Sequence, residues 1–406
     1  MDFLKVTEIK DIEKLIFEKI PTLKGNEEII KLENSLGRIL YEDIKSKENI
    51  PEFNRSTVDG YAIKSRESQG ASQGIPAFFT IKGEVSMGEN TEKELKSGEA
   101  IYVPTGAMIP AGADSMIMIE YCEILDDTLL IHKPVSKYEN IMLLGEDIKI
   151  DEIILEKGSQ ITPENVGVLA SMGIYQLSVF KKFRFSIIST GDELVGENEE
   201  YKKGKIRDIN SYTLSHAIEN FGEVVEKKIV RDNYETLLEE VKKSTEISDI
   251  VLISGGSSAG NYDYTSKVIS QLDGGEVFIH GISIKPGKPT IVGKSNDKLI
   301  FGLPGHPISS IVVFNIIVKK LIEKLCHKKD KEEFYYGILS HNLHSTPGRT
   351  TYQMVNKTID EGEIIINPIF GKSGMTTLMT KSNGYIILDT DTEGLVKGSR
   401  VKVYKF

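Results

Sequence analysis

Three acids, two lysines and a run of small residues carry the chemistry this sequence advertises. The stretch SGGSSAGNYDY, Ser254 to Tyr264, follows the apolar run DIVLI at 249–253. Such a run, with its β-branched members, reads as a strand buried on both faces of a parallel sheet. Gly255 and Gly256 then admit positive φ and close approach of a ligand, while Ser254, Ser257 and Ser258 offer hydroxyl and amide donors to an anion. A helix is predicted from about Tyr264 to Gln271, and its free N–H groups would strengthen that preference. Asp263 stands beside this cradle, where its charge would repel an anion unless a divalent cation such as Mg²⁺ joined the two. Taken alone, the loop reads more readily as a solvated turn with Asp263 capping a helix, as most such loops do.

The elements that must position these residues alternate between strand and helix over about 181–330, the pattern of a parallel α/β sheet. FRFSIIST, EVVEKKIV, DIVLISG and LIFGLPG supply the strands; NSYTLSHAIENF, YETLLEEVKKS and PISSIVVFNIIVKKLIEKL supply helices. Ligands of such sheets bind beyond the carboxyl ends of the strands. There the sequence sets Glu193 in STGDEL, Asp232 in VRDN, Asp263, and the pair Lys285 and Lys288 in SIKPGKP. Pro304 and Pro307 frame a rigid turn in GLPGHP, ahead of a helix. Singly, Glu193 and Asp232 read as turn formers or caps, the lysines as flanks of an exposed turn, and His306 as a polar loop residue. Together they suit a metal ion held with a phosphate-bearing ligand. No HExxH, Walker A or GxGxxG pattern is present, so zinc-protease, P-loop and dinucleotide chemistry have no direct support.

The remaining chain is long enough for further domains, since 406 residues correspond to two to four. Charged periodic segments up to about residue 50, IKDIEKLIFEKI and EEIIKLENSLGRILYEDI, predict a helical start. Residues 51–136 carry short β-rich pieces (AFFTIKGEV, EAIYVPTG, DSMIMIEYCEIL, TLLIHKPV) separated by turn residues. Residues 137–180 return to mixed connections and a helix at TPENVGVLASMG, with Thr162 as its cap and Pro163 in its first turn. The β-rich piece is therefore expected to be an insertion in a discontinuous helical domain, 1–50 and 137–180. The net charge of −10 excludes a general nucleic-acid binder. Cys122 and Cys326 are the only cysteines and have no CxxC spacing, which fits a reducing cytoplasm and gives neither a disulfide framework nor a thiolate zinc site. The amino terminus has no signal-peptide core and the longest apolar run, ISSIVVFNIIV, is too short to span a bilayer, so neither export nor a membrane is expected.

Eight ordered motifs resemble the MoeA/gephyrin E-domain family, the molybdopterin molybdenumtransferases. They are PEFNRSTVDGYAI at 51–63, YVPTGAMIPAGAD at 102–114, GEDI at 145–148, STGDEL at 189–194, SGGSSAGNYDY, KPGKP, GLPGHPISS, and GKSGM at 371–375. The resemblance implies a four-domain protomer: the discontinuous helical domain, the inserted β domain, a Mog-like molybdopterin-binding α/β domain at 181–330, and a C-terminal β domain at 331–406. It implies insertion of molybdate into adenylylated molybdopterin with release of AMP, aided by Mg²⁺ or another divalent cation. Asp59, Thr105, Asp147 and Ser373 match family site positions by motif, although each alone would be an ordinary turn residue. On the same basis Glu193, Asp232 and Asp263 would hold the cation, and Lys285 and Lys288 would neutralise phosphate or molybdate. The resemblance further implies a homodimer with sites shared between subunits, and a molybdopterin adenylyltransferase and molybdoenzyme maturation factors as partners. Thr57, Val58, Ser257 and His306 depart from the usual family pattern and leave every acid in place. A paralogue that uses tungstate, and a non-catalytic molybdopterin-binding scaffold, stay open as alternatives.

Overall fold

The computed structural model describes residues 6–219, 221–255, 261–329 and 333–405, with residues 261–263 described through their backbone only. The chain divides into two compact units, one formed by Met1–Tyr41, Lys157–Thr162 and Gln176–Phe406, the other by Glu42–Glu156 and Pro163–Tyr175.

At the centre of the first unit is a six-stranded sheet in the order Gly222–Val230, Phe183–Thr190, Ile250–Gly255, Lys298–Leu303, Ile291–Ser295, Glu276–His280. The first four strands run parallel, and the last two continue the sheet antiparallel. Successive side chains of a strand leave on opposite faces, so a strand covered on both sides must be apolar throughout. Ile187, Leu252 and Phe301 accordingly face a core shared with Phe314 and Leu321, while Ile188, Val251 and Ile300 face one shared with Val241 and Val268. Each such side chain, fully buried, contributes about 1.5–3 kcal/mol relative to exposure. The helices Asn210–Ile218, Tyr234–Ile247 and Asn261–Gln271 alternate with the parallel strands as the periodicity predicts. The segment after Pro307 forms helix Pro307–Val313, a π-helical stretch Phe314–Lys319 and helix Lys320–Leu325 in direct succession.

A second sheet in this unit has the order Ile284–Lys285, Thr350–Asp360, Glu363–Pro368, Phe334–Leu339, Arg400–Tyr404, Gly384–Leu388. Pairing of Gly384–Leu388 with Thr350–Asp360 closes five of these strands into a barrel around Val355, Ile366 and Val403. Ile284 and Lys285, at the start of the KPGKP motif, pair in parallel with Thr350 and Thr351, which fixes that motif to the C-terminal sheet.

Helix Ile9–Lys19 forms as expected and buries Ile12 and Ile16. The helical expectation for EEIIKLENSLGRILYEDI is overturned. Glu27–Lys31 is a strand paired antiparallel with Gln176–Phe180, followed by a single 3₁₀ turn at Leu32–Asn34. Ile29 and Leu36, two of the apolar positions that suggested a helical face, are 70% and 62% exposed. A remote strand supplies the backbone partners here, and that tertiary pairing outweighs the local periodicity.

The second unit is built on a six-stranded sheet in the order Ser115–Met118, Gly60–Ile63, Glu99–Val103, Ala77–Glu84, Thr128–Ile131, Cys122–Leu125. Its two cores centre on Phe79, Ile117 and Leu129, and on Ile101, Val103 and Met116. Helix Pro163–Ser171 belongs to this unit. Among the described residues no helix is long and apolar enough to cross a membrane.

Candidate active site

In the parallel sheet, Thr190, Val230 and Gly255 end neighbouring strands, and the acids follow them closely. Thr190 donates its hydroxyl to Asp232 Oδ1 at 2.6 Å, joining the ends of two adjacent strands. Asp192 Oδ1 accepts from the Asp232 N–H at 3.3 Å. Glu193 folds back over Gly191, where a Cβ would come within 2.9 Å of the Glu193 carboxyl group. That glycine leaves room for the carboxylate, and the parallel pairing of Leu194–Val195 with Ile206–Arg207 fixes the backbone just beyond it. Asp263 lies in helix Asn261–Gln271, but its side chain is outside the described residues, as are Gly256, Ser257 and Ser258. Among the described residues, no three His, Cys, Asp or Glu side chains lie close enough together to hold a metal ion.

Ser254 is 2% exposed, and its hydroxyl accepts from Asn210 Nδ2 at 2.6 Å. The same Asn210 amide donates to the Gly305 carbonyl at 2.8 Å, so one buried side chain ties the strand end at Ser254 to the turn between Pro304 and Pro307. Two residues away, Asp208 Oδ1 accepts from Ser189 Oγ at 3.0 Å and from the Ser211 N–H at 3.2 Å. Sequence reasoning missed Asp192, Asp208 and Asn210. The polar run RDIN before a helix was the signal available for the last two.

Lys285, Lys288, Pro304, His306 and Ser373 all line one cleft of about 1850 Å³. Glu193, Asp232 and Pro307 are not part of its lining. Neither lysine makes an ion pair with another described residue; Arg349 and Lys14, both missed from the sequence, add two further cations, and Lys14 pairs with Glu18 at 3.7 Å. Glu8, Asp11 and Glu18 of the amino-terminal segment line the cleft as well. Lys285 and Lys288 are themselves exposed, while the turn between them is packed and hydrogen-bonded. Gly287 sits at φ +114, where a Cβ would lie 2.5 Å from Val313 Cγ2 and 2.8 Å from Ile284 Cδ1, and its carbonyl accepts from Thr290 Oγ1 at 2.8 Å. His306, read from sequence as a plain loop residue, bonds through Nδ1 to Ser373 Oγ at 2.7 Å.

The second unit brings together two more predicted residues. Antiparallel pairing of Gly60 with Val103 sets Asp59 beside Thr105, whose N–H and hydroxyl both donate to Asp59 Oδ1, at 2.8 and 3.1 Å. Gly60 is required there because a Cβ would lie 1.9 Å from the Ile117 carbonyl oxygen. Asp147 is exposed on a loop anchored by its own N–H to the Ile50 carbonyl at 3.1 Å.

Three family models cover the chain in order: "MoeA N-terminal region (domain I and II)" over residues 7–173, "Probable molybdopterin binding domain" over 186–324, and "MoeA C-terminal region (domain IV)" over 336–406. The chain belongs to the MoeA family. It is 33% identical to a molybdopterin molybdenumtransferase of Staphylococcus epidermidis, across 92% of this chain and 90% of that one. It is 32% identical to the enzyme of the same name from Haemophilus influenzae, across 93% and 94% of the two chains. A crystal structure of the molybdopterin biosynthesis MoeA protein from Pyrococcus horikoshii superposes with a TM-score of 0.84 at 34% identity, covering 99% of each chain. The fold class read from the sequence, a parallel α/β domain accompanied by helical and β domains, is that of this family.

Proposed function

We propose that this MoeA-family transferase of molybdenum-cofactor biosynthesis transfers molybdate to adenylylated molybdopterin and releases AMP. The observation that carries the reading is the cleft lined by Lys285, Lys288, Arg349 and Ser373, in which neither of these two lysines is ion-paired to another described residue. Molybdate and the phosphates of an adenylylated substrate are anions, and unpaired ammonium groups on a rigid loop attract and orient them. The glycine and serine residues after the strand Ile250–Gly255 are assigned to the same substrate's phosphate or pterin, with Pro304 and Pro307 holding the facing turn.

Glu193 and Asp232 offer hard carboxylate oxygens, and Thr190 orients one of them. This donor set fits Mg²⁺, which typically uses one or two carboxylates together with substrate phosphates and water. In this reading Glu193, Asp232 and Asp263 hold the cation, which would offset charge on the leaving phosphate when bound. Asp59, Thr105 and Asp147, in the other unit, act on the substrate from a second subunit of a homodimer. A molybdopterin adenylyltransferase supplies the substrate and molybdoenzyme maturation factors receive the product, in the cytoplasm.

The test is incubation of the purified protein with adenylylated molybdopterin, Mg²⁺ and either molybdate or tungstate, with AMP release and metal-loaded cofactor measured. AMP release that depends on both the cation and molybdate is expected. Pterin binding without AMP release sinks the transferase reading in favour of a scaffold, and turnover with tungstate alone reassigns the oxyanion.

A further inference from the structure

A smaller cavity of about 300 Å³ lies at the opposite end of the parallel strands. Phe183 and Arg184 open one strand there, Asp249 precedes the next, and Lys298 opens a third, whereas the site described above follows the other ends of these strands. Its charged lining is Lys24, Lys181, Lys182, Arg184 and Lys298 against Asp249 and Asp297, an excess of three positive charges in a chain whose net charge is −10.

These cations are poorly neutralised. Asp249 is shared, accepting the Arg184 N–H at 2.9 Å, with the guanidinium at 3.6 Å and the Lys298 ammonium at 3.5 Å. Lys182 has a neutral partner, the Glu219 carbonyl at 2.8 Å. Lys24 and Lys181 are exposed and make no ion pair with another described residue. Like charges concentrated in this way repel one another, and a bound anion relieves that repulsion. The cavity is at the small end of ligand sites, and its one aromatic lining residue, Phe183, is 7% exposed, leaving no open face on which a base could stack.

We infer that this cavity binds a compact tetrahedral dianion, either a free oxyanion or the phosphate of a small monoester, separately from the substrate cleft. The inference does not depend on the transferase reading. Its test is calorimetric titration with inorganic phosphate in a Lys285→Met/Lys288→Met background, which removes the two cleft lysines that have no ion pair with a described residue. Phosphate binding is expected to persist there, to weaken with added NaCl, and to fall at least about tenfold when Lys24→Gln and Lys181→Gln are added. Both added changes are at exposed positions, so the fold should hold, and a thermal melt verifies it. Competition by glycerol 3-phosphate and by molybdate then separates the two sources of the dianion. Binding that vanishes in the Lys285→Met/Lys288→Met background, or that survives Lys24→Gln/Lys181→Gln unchanged, overturns the assignment.

Discussion

Ser373 Oγ and His306 Nδ1 stand 2.7 Å apart, so a loop of the C-terminal region is tied to the turn that starts the helix at Pro307. Both residues line the cleft that holds Lys285 and Lys288, and the bond fixes where that wall of the cleft lies. A hydrogen bond of this sort contributes about 0.5–1.5 kcal/mol net, and its loss should appear in substrate handling more than in stability. His306→Ala and Ser373→Ala are each expected to lower kcat/KM for AMP release by about 3- to 10-fold, with little change in Tm. Because the two act through one contact, the double variant should be no worse than the poorer single variant. Fully additive losses would mean that the residues work independently.

Much of this arrangement was legible in the sequence because it rests on local rules. Apolar β-branched runs gave the parallel strands, and the carboxyl-end rule led directly to Glu193, Asp232 and Ser254. The pairing of Asp59 with Thr105 was not legible from local pattern. It follows from the register of Gly60 against Val103, two strands about 40 residues apart in sequence, and only the family motifs singled out either residue. Asn210 escaped for a related reason, since its importance lies in reaching Ser254 and Gly305, both remote in the chain. The segment at 27–31, EEIIK, misled because a short apolar pair between charged residues suits helix and strand alike until the partner Gln176–Phe180 is known.

Gly191 separates the position of the Glu193 carboxylate from its charge. A Cβ at Gly191 would meet that carboxyl group at 2.9 Å, and the flexible end of the glutamate can swing away. Gly191→Ala should therefore cost less than about 1 kcal/mol of stability while displacing the carboxylate. The expected result is a raised Mg²⁺ requirement for AMP release, measured by cation titration, in a protein whose Tm is nearly unchanged. An unaltered cation titration would remove Glu193 from the metal's surroundings.

The two cysteines should be inert in the native protein. Burial pushes the Cys122 and Cys326 thiols up to about 12. At pH 8 that leaves roughly one thiolate in ten thousand, and the thiolate is the reactive form. Iodoacetamide should label neither residue in the folded chain and both after denaturation, as read by mass spectrometry. The sign of the linkage follows. An unfolded thiol ionises near 9 and the folded one does not until about 12, so this contribution to stability is present below pH 9 and is lost progressively as pH rises from 9 to 12. Replacing both cysteines with Ala should flatten that part of the stability profile.

The last prediction concerns subunits. Asp59 and Thr105 belong to one compact unit of the chain, and Glu193, Asp232 and Lys285 belong to the other. In the homodimer proposed above, each site takes Asp59 from one subunit and Asp263 from its partner. Asp59→Asn and Asp263→Asn proteins, each inactive alone, are co-expressed so that subunits pair at random. A mixed dimer then has one site carrying both lesions and one site carrying none. Half of all dimers are mixed, so activity should return to about a quarter of wild type. If each site were confined to one chain, every site would carry one lesion and nothing would return. Differently tagged subunits allow the mixed dimer to be purified and assayed by itself, where about half of wild-type activity is expected. An inactive purified mixed dimer rules out the shared site.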